Sequence, residues 1–373
     1  MLRTVLALAL ATLACDNRAA PEPLPTDTHV DGLRVETLAT GLDTPWDLAW
    51  GPDGMIWFSE RGGRISRLDP TSGRVMRAGD VAGVTQSGEG GLMGIAFHPD
   101  FAATPVLYAA HTYLSAGGPR NRLVRMRWDG TRLGAPETLI DDIPGGFIHD
   151  GSRLVIGPDR LLYMTTGDGG DGDQAQDAGA LAGKILRLAL DGSAAPGNPS
   201  GTRVWSLGHR NAQGLAFAPS GVLYETEHGP SDNDEVNRIE AGRNYGWPTV
   251  HGFCDDDVGT ERAFCQAHAV VEPMAAWSPT IAPSGLAYYD ATRFPGWKGS
   301  LLFTTLKAQA LYRLQLTADG RGVAARETLL VGQLGRLRDV LVGPDGALYL
   351  ATSNRDGRGN PRDEDDRIVR VTP

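Results

Sequence analysis

The chain has 373 residues, with 35 Lys and Arg against 45 Asp and Glu, and its formal charge of −10 argues against nucleic acid or anionic lipid as the main partner. Glycine is the outlier at 49 residues, about 13% of the chain where roughly 7% is ordinary. With 24 prolines the sum is 73, about 20% and below the roughly 25–30% of low-complexity chains, while 41% apolar residues suffice for a core; the excess glycine points to many tight turns between short strands.

At the N-terminus one basic residue, Arg3, precedes an apolar or small run from Thr4 to Ala14 that ends at Cys15. This predicts a secretory signal over 1–15, too short to span a bilayer of about 30 Å as a helix. Leu13-Ala14-Cys15 is similar to a bacterial lipoprotein cleavage site, with Thr12 where that pattern usually has leucine. An acylated Cys15 gives a membrane-tethered lipoprotein; without it the protein is exported and periplasmic. Residues 16–30, with Pro21, Pro23 and Pro25, read as a flexible tether, so the folded domain covers 31–373.

From there one phrase recurs: an apolar triplet, a Pro-Asp-Gly-like turn, and an alternating strand around an aromatic residue. It occurs at Leu48 to Trp57, Ile95 to Tyr108, Leu154 to Tyr163, Leu215 to Tyr224 and Val340 to Tyr349, with a degenerate copy at Trp297 to Phe303. After most copies comes a strand in which basic and apolar residues alternate, as in Arg64 to Leu68, Lys184 to Leu188 and Arg367 to Val371. The turn prolines at 52, 99, 158, 219 and 344 lie too far apart for a helical solenoid. Such spacing fits blades of two to four strands each. The fold class predicted is all-β, a six-bladed β-propeller in one domain, closed by pairing a strand near Leu33 to Leu38 with the last blade, which hides an edge.

Propellers host unrelated functions, so the site must be read from the loops. His149, just before one strand, and Asp168, just after the next, fall on one face of a hairpin. A carboxylate on one ring nitrogen leaves the other as a base for an alcohol proton; the plainer reading is a pair of turn caps. Gly167-x-Gly169-x-x-Gly172 matches a dinucleotide fingerprint in letters only, since three aspartates there repel a pyrophosphate and no βαβ unit surrounds it. Arg210 and Asn211, on a glycine-flanked loop, suit a carbonyl or carboxylate ligand, or tie blades together. The acidic stretch from Glu227 to Asn237, with Tyr245 following, offers hard oxygens suited to calcium, or is a solvated turn. Lys307, Arg336 and Arg338 suit a small polyanion, or form a solvated basic face. Cys254 and Cys265, eleven residues apart, predict a local disulfide in an oxidising compartment; a zinc site is the weaker reading, as paired Cys-x-x-Cys spacing is missing.

Together these segments resemble the PQQ-dependent soluble glucose dehydrogenase and aldose sugar dehydrogenase family. The carriers are Gly88 to Asp100, His149 with Arg153 to Asp159, Gly208 to Phe217, Gly229 to Trp247, Trp277 to Ser284, and Arg336 to Asp339. The resemblance implies that His149 is the general base at the anomeric hydroxyl of an aldose, that Asp168 orients it, and that Arg210 polarises the quinone. It places PQQ against Asn211, Thr280, Lys307, Arg336 and Arg338. The carbonyls of Gly229 and Pro230 would hold the calcium that chelates PQQ, and Asp234, Glu235 and Tyr245 a structural calcium. Glu89 stands beside the sugar where glucose-specific members have glutamine, and the Trp277-to-Thr280 spacing leaves the place of Trp277 open. Short loops favour a broader aldose type. Electrons would pass to an external acceptor, since no haem motif is present, and the sequence leaves both a monomer and a homodimer open. Two other readings stand beside this one: a calcium-dependent propeller lactonase or esterase, with acidic ligands at the centre and no need for the basic cluster, and a non-catalytic sugar-binding propeller.

Overall fold

The computed structural model describes residues 27–30, by backbone alone, and residues 32–373. The signal segment 1–15 and the acylation of Cys15 lie outside the described residues. Six antiparallel sheets follow one another along the chain. Blade 1 runs Pro45–Trp50, Ile56–Glu60, Arg64–Leu68 and Val75–Asp80; blade 2 runs Leu92–Phe97, Val106–Ser115, Gly118–Arg127 and Glu137–Pro144. Blade 3 consists of Leu154–Ile156, Leu162–Thr166, Lys184–Leu188 and Val204–Leu207, and blade 4 of Ala212–Phe217, Leu223–Glu227, Asp234–Ile239 and Ala275–Trp277. Blade 5 is Pro283–Tyr289, Ser300–Thr305, Leu311–Leu316 and Val323–Leu329.

Blade 6 closes the ring. Its strands Leu337–Val342, Leu348–Thr352 and Ile368–Thr372 pair with Leu33–Ala39, which in turn pairs with Asp27–Val30. Residues 27–30, assigned to the tether by their sequence, thus form a fifth strand. Pairing first with last leaves the ring held by backbone hydrogen bonds, reinforced by the Arg370 to Glu36 ion pair.

The recurring Pro-Asp-Gly turns join the innermost strand of a blade to the second. The same short hydrogen bond closes four of them: Gly51 N–H to Met55 O, Gly157 to Leu161, Ala218 to Val222 and Gly343 to Ala347. The turn aspartate also accepts from the following strand, as Asp53 does from the Trp57 indole at 3.1 Å and Asp159 from the Tyr163 hydroxyl at 2.9 Å. The strands of alternating basic residues are the third in their blades, and their arginines return to those same turns: Arg67 to Asp53, Arg187 to Asp159.

Both faces of the inner strands are buried, because each blade stacks on two neighbours. The apolar clusters coincide with these interfaces, one for each blade pair; Trp57, Ile65, Leu92 and Leu107 join blades 1 and 2, and Leu48, Phe58, Tyr349 and Ile368 join blades 6 and 1. One α-helix, Glu261–His268, lies in the long loop of blade 4, fastened by the Cys254–Cys265 disulfide with its Cα atoms 6.3 Å apart.

Candidate active site

A cavity of about 370 Å³ opens at the end of the channel where the innermost strands begin, opposite the proline turns. Loops entering these strands supply its wall. Trp46 lies at its base, with the Arg153 guanidinium 4.4 Å and that of Arg338 5.8 Å from the ring centre. Beneath it Arg153 plugs the channel, donating to Asp47 and Gln213 O and lying 3.2 Å from Asp339. Asp47 and Asp339 also accept from Ile95 N–H and Leu48 N–H, each at 2.7 Å. These central carboxylates are therefore committed to Arg153 and the backbone, unlike the acidic metal cage that the lactonase reading requires.

The His149 backbone is left-handed, with φ 63°, and its ring Nδ1 lies 2.6 Å from Asp168 Oδ1. Asp168 is buried, and burial raises a carboxyl pKa; bonds from His149, from Gly170 N–H at 2.7 Å and from the Trp247 indole at 2.9 Å outweigh this and hold it below its usual value. Because an ionised carboxylate only accepts, the network assigns the proton to His149 Nδ1 and a lone pair to Nε2. Asp168 itself stands behind His149, off the cavity wall.

Six cationic side chains line the cavity, Arg61, Arg210, Lys307, Arg336, Arg338 and Arg358, against the carboxyls of Glu89, Asp150, Asp234 and Asp356, a net of two positive charges in a chain of −10. Asp356 partly offsets them, with one oxygen 2.8 Å from Arg336 and 3.7 Å from Arg338. Burial, with Arg336 and Arg61 nearby, still pushes Arg338 down to about 10. Lys307 donates to the Thr280 hydroxyl at 2.5 Å. Arg210 lies 5.2 Å over the Trp247 ring and donates to His228 O.

On the cavity wall the buried Nε of Arg61, Arg210 and Arg338 have no protein partner among the described residues, nor does Nδ2 of Asn211, which lies off the wall. Orphaned donors of this kind cost free energy unless a ligand supplies acceptors. They fit a ligand bearing several carboxylate or carbonyl oxygens. Asn211 is fully buried, and its Oδ1 accepts from Gly151 N–H and Gln213.

Gly229 and Pro230 reach the cavity wall, and no hydrogen bond among the described residues ends on their carbonyls. Of the residues expected to hold a structural calcium, Asp234 and Tyr245 make hydrogen bonds within the protein. Asp234 accepts from Gly229 N–H with one oxygen and from Ile281 and Ala282 N–H with the other, so it organises loops. The Tyr245 hydroxyl donates to Arg238 O and accepts from Glu240 N–H. Glu235 instead gathers with Glu225 and Glu227 on adjacent strands. Burial and Glu227 raise Glu225 well above the usual range and Glu235 to about 8. His209, Glu225 and Glu227 place ligand atoms within 4.8 Å of one another, and Glu225 Oε1 and Asn237 Oδ1 are buried without partners. This is an oxygen-rich set suited to a hard cation.

Glu89, expected beside the sugar, has one oxygen 3.1 Å from His149 N and the other 2.9 Å from Arg358. Trp277 stands away from the cavity, edge-on to Phe303 and Tyr312 in the interface of blades 4 and 5. Arg61, Asp150, His228, Asp356 and Arg358 were not legible as site residues. Asp150 is 2% exposed, its Oδ2 has no partner among the described residues, and burial raises its carboxyl to about 6.

The glucose/sorbosone dehydrogenase family matches residues 42–362. Aldose sugar dehydrogenase YliI of Escherichia coli is 32% identical over 87% of this chain and 91% of its own, and quinoprotein glucose dehydrogenase B of Acinetobacter calcoaceticus 31% over 90% and 87%. The solved PQQ-bound form of an aldose sugar dehydrogenase from Streptomyces coelicolor has 41% identity and a TM-score of 0.81, covering 94% of this chain and 99% of that one.

Proposed function

The chain belongs to the glucose/sorbosone dehydrogenase family, and from that premise we propose that it oxidises the C1 hydroxyl of an aldose to the lactone, with bound PQQ as electron acceptor and an external acceptor beyond it. The observation that carries this reading is the His149–Asp168 pair facing a net-positive cavity whose buried donors lack partners.

Bound PQQ supplies a quinone that takes up a hydride, and calcium a Lewis acid beside it. The chain's own residues do the rest. Asp168 fixes the His149 tautomer, and Nε2 removes the hydroxyl proton as the C1 hydride leaves. Asp168 then stabilises the imidazolium so formed. Arg210, held in place by His228 O and Trp247, stabilises negative charge developing on a carbonyl oxygen, since a preorganised cation needs no reorientation as the charge appears. Arg61, Lys307, Arg336 and Arg338, with Thr280 and Asn211, would hold the cofactor's carboxylates and carbonyls. Gly229 and Pro230 would offer carbonyls to a calcium ion, and Glu225 and Glu227, with His209 and Glu235 beside them, would hold a second, structural one.

The test is to add PQQ and Ca²⁺ to purified apoprotein and follow reduction of an artificial electron acceptor with several aldoses. A bound-cofactor spectrum with sugar-dependent reduction supports the reading; neither appearing overturns it.

A further inference from the structure

Glu89 occupies an unusual place. Its peptide N–H donates to Phe147 O at 3.0 Å while its side chain accepts from His149 N–H at 3.1 Å, so residue 89 clips the 147–149 segment at two points. The approach is so close that a Cβ on Gly88 would stand 1.8 Å from Phe147 O. The clipped segment needs fastening, because His149 and Ser152 have φ of 63° and 75°, a conformation that L side chains adopt at a cost. The second Glu89 oxygen lies 2.9 Å from Arg358 Nη1, on the loop between the second and third strands of blade 6. That loop is in turn held by Asp356, which accepts from Arg358 N–H at 2.9 Å. The other titratable and charged groups facing Glu89 are His228, Asp150, Arg61, Arg210 and Arg338; its carboxyl is held below its usual value, the bond from His149 N–H and the nearby His228 and Arg358 outweighing burial.

We infer that Glu89 and Arg358 are positioning residues for the base: Arg358, on the cavity rim, fixes the Glu89 carboxylate, and Glu89 fixes the main-chain amide of His149 in its left-handed conformation. This rests on the reading of His149 as base. It gives Glu89, which lines the cavity, a role beyond contact with sugar. It also joins the far side of the ring to the catalytic loop, because the ion pair runs from blade 6 to the segment that enters blade 2. The Arg358 side chain is 59% exposed, so the ion pair is open to screening by salt while the His149–Asp168 contact, 11% and 2% exposed, is not.

Two measurements test the inference. In apoprotein, hydrogen exchange at the His149 amide, read from peptides across 145–152, should quicken about ten-fold in Arg358→Met and Glu89→Ala and return toward wild type in Arg358→Lys. In the enzyme loaded with PQQ and Ca²⁺, Arg358→Met should lower kcat about ten-fold with little change in KM. Raising salt from about 0.1 to 1 M, where the Debye length falls from roughly 10 to 3 Å, should lower wild-type kcat and leave the Arg358→Met value unchanged. Arg358→Met changes an exposed rim residue and leaves the core intact, so it reports even if Glu89→Ala does not fold. Unchanged exchange at His149 in Arg358→Met overturns the inference, as does a loss confined to KM, which would place these residues on substrate. A wild type inactive on every aldose, with exchange still responsive, overturns the dehydrogenase reading and supports the clamp.

Discussion

The chemistry of this site depends on where single protons sit. Asp168 is kept ionised by three donors, and only an ionised partner fixes the lone pair on His149 Nε2. His149→Gln keeps a polar side chain of similar reach and no base. We expect it to retain PQQ, seen in the cofactor spectrum, while kcat falls by about 10²–10⁴-fold, the span typical of lost general-base catalysis; turnover near wild type would remove His149 from that role. Asp150 gives a prediction about stability. Its folded-state value of about 6 lies above the ordinary 3.8, so between these values the folded state binds the extra proton, and the cost of burying the charge is complete only above pH 6. Asp150→Asn should therefore stabilise the apoprotein at pH 7 by up to about 3 kcal/mol, two pKa units, and by little at pH 4. Equal effects in melts at the two values would show that another interaction dominates. Arg61 and Asp356 escaped the sequence reading because each follows a strand in an ordinary Arg-Gly-Gly or Asp-Gly turn, and nothing local marks them as facing a cavity.

Strands, rather than loops, bring the acidic set of blade 4 together. Residues 225 and 227 are two apart on one strand and Glu235 pairs opposite Glu227 on the next, so their side chains share one face. Three carboxyls packed there repel one another. Glu225 and Glu235 are raised above the ordinary 4.5, so the ion-free protein binds extra protons relative to the unfolded chain, and its stability falls as pH rises from about 4.5 toward 8. A bound calcium ion removes that cost. Calcium should raise the melting temperature more at pH 8 than at pH 5, and Glu225→Gln with Glu227→Gln should abolish the gain. An undiminished gain in the double variant would locate the stabilising ion elsewhere. The same two-residue period made the strands legible in the sequence, but it could not reveal that Asp234, one residue from Glu235, turns to the opposite face and serves backbone amides instead.

For the molecule as a whole, the closing strand Leu33–Ala39 carries disproportionate weight. Leu33 and Val35 are each 5% exposed and pack into the interface of blades 5 and 6, a burial worth about 1.5–3 kcal/mol per side chain. Removing residues through Ala39 also uncovers the edge of Ile368–Thr372. Such a truncation should lower the melting temperature and promote aggregation, measured by scanning calorimetry and light scattering. A truncated protein that melts like the full chain would show that the blades hold without ring closure.

Blade number and ring closure were determined by the sequence itself. The reason is that Pro-Asp-Gly turns and two-residue alternation act over a few residues of backbone. Charge partnership is different in kind. Asp356 meets Arg336 across 20 residues, Arg153 reaches Asp47 across 106, and Arg338 finds Gln213 across 125. Coulomb and hydrogen-bond energies depend on distances in space that exist only once the ring has closed. The tertiary structure alone decided which cations of the basic cluster are neutralised, which donors are left without partners, and that Glu89 faces the backbone of His149.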